Sequence, residues 1–197
     1  MKENKPILHI LKPKKETLAE GDIATPFIYK TIENHHFAKG FHLAGGFIFT
    51  YGRFIREVPY DPFLYFHGDE QSIAIRAYTR GWDIYHPNLS LIPLAHRYKT
   101  AGQIYDSQHW RRDIETVRKV KWHQRQKVAY SRLVDMIIDQ KTEHPFSLGT
   151  VRSLDDFIQF SGMDYLNYQY SERKTQFMDL PYSLNVFDVV KPYRKQQ

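Results

Sequence analysis

GGFIFTYGRFIREVPYDPFLYFHGDEQSIAIRAYTRGWDIYHP, Gly45 to Pro87, is the stretch whose reading decides the fold. Continued through NLSLIPLAHRY to Tyr98, it predicts strand, short helix, acidic-capped helix, strand, turn and strand. The run FHLAGGFIFTY, Phe41 to Tyr51, reads as a buried strand rich in Phe and Ile around a Gly-Gly pair. Those glycines mark either a bulge or a close approach by another group. Pro59-Tyr60-Asp61-Pro62 is a rigid turn, because each proline fixes its own φ and restrains its predecessor. From Asp69 to Arg80 the pattern is helical, with Ile73, Ala74, Ala77 and Tyr78 on one face and Gly81 placed as a C-cap. Gly68, Asp69 and Glu70 stand at its start. An acidic first turn is favoured by the helix dipole, so the two carboxylates are either a cap or a turn that faces substrate.

Working outward, Pro6 to Leu11 reads as an edge strand and Lys12 to Lys15 as a turn. Phe27, Ile28, Tyr29 and Ile32 form another apolar segment, interrupted by Glu33-Asn34-His35-His36. Neighbouring residues of a strand point to opposite faces, so His35 and His36 read as surface or acceptor-side residues and not as a metal pair. Trp82 to Tyr85 and Leu89 to Leu94 read as strands about a Pro87-Asn88 turn, with His96 at the end of the second. Ser107 to Lys141 reads as one long helix or two: Trp110, Ile114 and Val117 share a face, then Val128, Leu133, Met136 and Ile137. His144-Pro145 breaks it. Ser153-Leu154-Asp155-Asp156 caps a short helix through Phe160, closed by Ser161-Gly162, and Tyr165 to Gln197 reads as an extended tail.

The blocks Arg56-Glu57-Val58-Pro59-Tyr60-Asp61-Pro62, Phe66-His67-Gly68-Asp69-Glu70, Gly81-Trp82-Asp83-Ile84-Tyr85-His86-Pro87 and His96-Arg97-Tyr98 occur in that order. Leu148 to Phe157 and Phe160 to Tyr165 follow downstream. In this set and order the chain resembles the glycosyltransferase family that moves N-acetylglucosamine from UDP-GlcNAc to protein hydroxyproline, over the C-terminal half of a member. The resemblance implies an α/β fold: the C-terminal part of a nucleotide-diphospho-sugar transferase of the A type, with a helical C-terminal extension. Residues 1–100 would form the half-domain and 101–197 the extension and tail.

The same resemblance implies a retaining, metal-dependent transfer to a hydroxyl. Asp69 and Glu70, weighted equally, become the catalytic candidates. Gly45, Gly46, Phe47, Gly68, Trp82 and Arg97 become the substrate-binding ones. His96, which residue type alone would leave structural, becomes the ligand of Mn2+ or Mg2+, a Lewis acid on the leaving diphosphate. The implied partners are UDP-GlcNAc and a protein or glycan hydroxyl acceptor.

The resembled family also carries an upstream βα nucleotide-binding half that ends in an acidic metal motif of the Asp-Ser-His kind. The chain has no Asp-x-Asp, and Asp106-Ser107-Gln108-His109 lies downstream of His96 at a helix start, where Asp or Ser is a good N-cap. The expectation is therefore a chain that begins after that half, with a second chain as a partner that supplies it. The alternative function is a truncated, inactive remnant that binds carbohydrate or protein.

Composition limits the other classes. The chain has 197 residues, is 42% hydrophobic and 25% charged, and so suits an ordinary folded domain. It has no cysteine, which excludes disulfides, thiolate metal sites and a cysteine nucleophile. No apolar run spans a bilayer and the basic N-terminus lacks a signal peptide's apolar core, which sets the expectation of a soluble, cytoplasmic protein. Of the net charge of +6, Ser107 to Lys141 holds nine Lys or Arg against four Asp or Glu. A basic helix face attracts phosphates, but no RNA-binding motif accompanies it and nucleic acid is the minor reading.

Overall fold

A computed structural model describes residues 7–33, 37–66, 68–87 and 111–178. β1 (Ile7–Pro13), α1 (Lys15–Ala19), β2 (Phe27–Glu33) and β3 (Phe37–Gly40) come first. They are followed by α2 (Phe54–Glu57), α3 (Asp69–Thr79) and β4 (Ile84–His86). Beyond these lie α4 (Arg112–Val117), α5 (Trp122–Ile137), α6 (Leu154–Ser161), β5 (Met163–Asp164), β6 (Gln169–Tyr170) and β7 (Phe177–Met178). Helix and sheet are mixed, consistent with the α/β class. The strand pairings described are antiparallel: β1 with β2, β4 and β7 on either side of β3, and β5 with β6.

The core forms where α3 meets α5 and α6. Ala74, Ile75 and Ala77 of α3 are buried, as are Ala129, Leu133, Met136 and Ile137 of α5 and Leu154 and Phe157 of α6. Met163 and Tyr165 close the cluster beside Leu18, Ile23, Phe41 and Leu64. Each large apolar side chain removed from water there contributes about 1.5–3 kcal/mol. Residues on both sides of position 100 thus share one core.

Gly68 shows how closely α3 is set on α5. It holds φ +83°, and a Cβ there would lie 2.1 Å from Leu133 Cδ1. Any side chain at this position meets both a backbone strain and a collision. The expected helix is present, ends at Thr79 and is followed by Gly81 at φ +89°. The Ser153 box is also present: Ser153 Oγ accepts from Asp156 N at 3.0 Å, and Asp156 Oδ2 accepts from Ser153 N at 2.7 Å.

Several expectations are corrected. Phe41 to Tyr51 is not a strand: β3 ends at Gly40, where its pairing with Ile84 ends. Phe41, His42 and Leu43 are buried, but Phe47, Ile48, Phe49 and Tyr51 face solvent. Among the described residues no strand pairs with it, so this apolar run has no ladder to join there. Lys12 and Pro13 do not turn but extend β1, Pro13 opposite Phe27, and Lys14 N donates to Pro26 O.

The described part of Ser107 to Lys141, from Arg111 on, contains two helices, α4 and α5. Between them Glu115 accepts from Arg118 Nη1 at 2.8 Å and from Trp122 N at 2.9 Å, which draws the chain around. Val117 and Val128 are exposed and stand apart from the buried stripe of α5. The described part of the expected extended tail, Tyr165 to Met178, packs on the fold: Tyr165 is buried, and β6 and β7 are paired. The expected strand over Leu89 to Leu94, Trp110, and the histidines 35 and 36 lie outside the described residues. Among the described residues no helix is long and apolar enough to cross a membrane.

Candidate active site

The first turn of α3 gathers the acidic pair. Asp69 Oδ1 accepts from Glu70 N at 2.9 Å, and Asp69 Oδ2 accepts from the Tyr60 hydroxyl at 3.3 Å. Glu70 Oε1 accepts from Gly45 N at 2.5 Å. Glu70 Oε2 has no hydrogen-bond partner among the described residues. Both carboxylates stand at the positive end of the helix dipole. Burial, followed by the charge of Asp69, pushes the Tyr60 phenol up from its ordinary value, so it remains a protonated donor to Asp69 at neutral pH.

Two further residues, Arg76 and Asp61, hold the turn that carries Tyr60. Arg76, fully buried within α3, donates from Nη1 to Pro59 O at 2.7 Å and from Nε to Ser72 Oγ at 3.2 Å. Buried Asp61 accepts from Phe63 N at 3.0 Å and pairs with Arg132 Nε at 2.6 Å. Burial lowers the Arg76 pKa to about 10, against the opposing pull of Asp61, so the guanidinium remains charged at neutral pH. These residues position the site from behind. An arginine at a buried position of a helix was the sequence signal for them, since such a charge requires partners.

The structure brings Gly45, Gly68, Asp69 and Glu70 together, with Tyr60, which residue patterns had left without a role. Gly46 and Phe47 adjoin Gly45 and are exposed. Trp82 lies past the opposite end of α3, whose 11 residues rise about 16 Å. Its Nε1 donates to Glu57 Oε2 at 2.9 Å, the Arg53 guanidinium stands 4.9 Å over its ring, and Phe54 meets it edge-on. His96 and Arg97 lie outside the described residues. Among the described residues no three His, Asp or Glu converge in a way that could hold a metal ion.

Phe47, Phe49, Tyr51, Ile55 and Phe63, in the chain on either side of these contacts, are exposed apolar residues. The basic segment further on is partly neutralised within the fold. Arg118 pairs with Glu115, Arg132 with Asp61 and Lys141 with Asp139.

A family model described as Glycosyltransferase (GlcNAc) matches residues 25–167. That span covers well over half of the chain and contains the acidic pair and the blocks on either side of it. The chain belongs to this glycosyltransferase family, and glycosyl transfer is the general function that follows. No curated protein and no solved structure matches it.

Proposed function

We propose that the chain transfers N-acetylglucosamine from UDP-GlcNAc to a hydroxyl acceptor, protein hydroxyproline in the resembled family, with retention of anomeric configuration. The observation that carries this reading is the arrangement of the acids: Glu70 is held to Gly45 by one carboxylate oxygen while the other has no hydrogen-bond partner among the described residues, and Asp69 is held by Tyr60. A carboxylate fixed on one side and open on the other suits a hydroxyl that must be aligned and deprotonated.

In this reading Glu70 Oε2 accepts the proton of the acceptor hydroxyl. The acceptor oxygen forms the new bond to the anomeric carbon on the same face from which the diphosphate departs, as retention requires; the bond from that carbon to the diphosphate oxygen breaks, and UDP leaves with the electron pair. Asp69 orients the sugar hydroxyls, and Gly45, Gly46 and Phe47 border the sugar. The fold assignment to the A type, with residues 1–100 in its C-terminal part, belongs to the same proposal. So does a divalent cation, Mn2+ or Mg2+, with His96 as its ligand and Arg97 on the phosphates. The described residues do not form a metal site by themselves, and no step above is routed through one.

A second reading, a carbohydrate- or protein-binding module without turnover, is favoured by the solvent-facing Phe47, Phe49 and Tyr51. Calorimetric titration of the chain with UDP-GlcNAc, with and without Mn2+, separates the two. Metal-dependent donor binding supports the transferase. A folded chain that binds a glycan or peptide acceptor but no donor supports the module.

A further inference from the structure

A groove opens between β1, β3 and the segment from Ser171 to Gln176. Four of its lining side chains are cationic, Lys12, Lys39, Arg173 and Lys174, and none is acidic. Its apolar wall includes Phe41 and Phe160. None of the residues around Asp69 and Glu70 takes part in it.

The segment that carries two of the cations is fastened at both ends. Ser171 N donates to Gly162 O at 2.9 Å, and Lys39 N donates to Gln176 O at 2.9 Å. The first fastening needs a glycine: Gly162 holds φ +77°, and a Cβ there would lie 1.8 Å from Ser171 O. Arg173 and Lys174 are thereby set across from Lys12 and Lys39 by the backbone.

The cations are poorly satisfied by the protein itself. Lys12 is only 9% exposed, yet its ionic neighbour is Glu172 at 3.8 Å, beyond hydrogen-bond reach. That carboxylate is exposed and is shared with Lys30 at 3.6 Å. Burial depresses the Lys12 pKa, and nearby Lys30 adds to the effect. Arg173 donates from Nε to Gln159 O at 3.1 Å, which orients the guanidinium and leaves its terminal nitrogens without an acceptor among the described residues. Lys174 has no ion pair among them. Lys39 does pair, with Asp83 at 3.1 Å, and stands 5.4 Å over the Phe160 ring.

Cations gathered against an apolar wall repel one another unless an anion lies between them. A groove lined by one sign of charge concentrates ions of the other. We propose that this groove binds a tetrahedral oxyanion, the phosphate or sulfate group of a small ester. Arg173 supplies the planar fork, Lys12 the buried charge, and Lys174 and Lys39 the flanks. Glu172 is the counter-ion that the ligand displaces.

The test is a titration of the full chain, followed by amide NMR, with inorganic phosphate, inorganic sulfate and glycerol 3-phosphate at constant ionic strength. Saturable shifts confined to residues 39–41 and 173–176 are expected. Binding of phosphate and sulfate alike supports a groove that reads tetrahedral shape. Preference for phosphate supports one that reads its second charge, and tighter glycerol 3-phosphate supports an ester as the natural ligand. Arg173→Gln and Lys174→Gln each weaken binding, the former by about tenfold, whereas Lys127→Gln, at an exposed position of α5, leaves it unchanged. The proposal is overturned by a folded chain that shows no saturable shifts. It is equally overturned if Arg173→Gln binds as the parent does, or if Lys127→Gln weakens binding as much, since that is diffuse attraction.

Discussion

Glu70 Oε1 accepts a 2.5 Å hydrogen bond from the backbone N–H of Gly45, 25 residues earlier in the chain. The contact holds one end of the solvent-facing aromatic segment on the first turn of α3. Because the donor is backbone, substitution of Glu70 tests the carboxylate and leaves the donor unchanged.

Glu70→Gln retains an oxygen for Gly45 and loses the charge. Its expected effect is a fall in the rate of sugar transfer of about 10²–10⁴-fold, with the thermal midpoint nearly unchanged. A variant that transfers sugar at the parental rate would remove Glu70 from the chemistry.

Tyr60→Phe deletes the donor to Asp69. The hydroxyl is half exposed, so the expected loss is small, about two- to fivefold in the rate of transfer. The informative reading is the comparison with Asp69→Asn: if Tyr60 acts through Asp69, the double variant is no worse than Asp69→Asn alone.

Gly68→Ala meets both the positive φ and Leu133. It is expected to cost more than about 2 kcal/mol in a urea melt. Leu133→Ala costs about 2–5 kcal/mol by itself, and the double variant should cost less than the sum, because the smaller residue makes room for the added methyl. Strict additivity would mean that the two do not compete for space.

Acid should unfold the chain through His42 and His86. Burial is the main cause that lowers both pKa values, and the proximity of the two rings adds to the effect at His42. Folded-state values below the unfolded one mean that the unfolded chain binds more protons as pH falls. Stability is then complete above about pH 6.5 and declines below it, by up to about 1.4 kcal/mol per pH unit for each histidine. Melts between pH 7.5 and 5.5 check this, and His42→Gln should flatten the decline. A midpoint independent of pH in that range would contradict the assignment.

What was legible in the sequence was local. The Asp69 helix, the glycine after it and the Ser153 box are written in residues three or four apart, and the structure has all of them. Phe41 to Tyr51 has the composition of a strand, but a strand also needs a neighbour, and composition does not contain one. The contact between Gly45 and Glu70, and the hold of Arg132 on Asp61, span 25 and 71 residues and leave no periodic trace. The acidic pair was found because a helix start marks it; Tyr60 was passed over because a tyrosine between prolines reads as a turn. Trp82 was grouped with the acids by its place in a motif, while α3 carries it to the opposite end of the helix.

Gly45 and Tyr60 are both fastened to the same two-residue turn, so the chain between them is a ring closed on Asp69 and Glu70. On the proposed function, an acceptor that pressed on Phe47 or Phe49 would pull on the carboxylates through their own hydrogen bonds, and recognising it and aiming the acids would be one mechanical event.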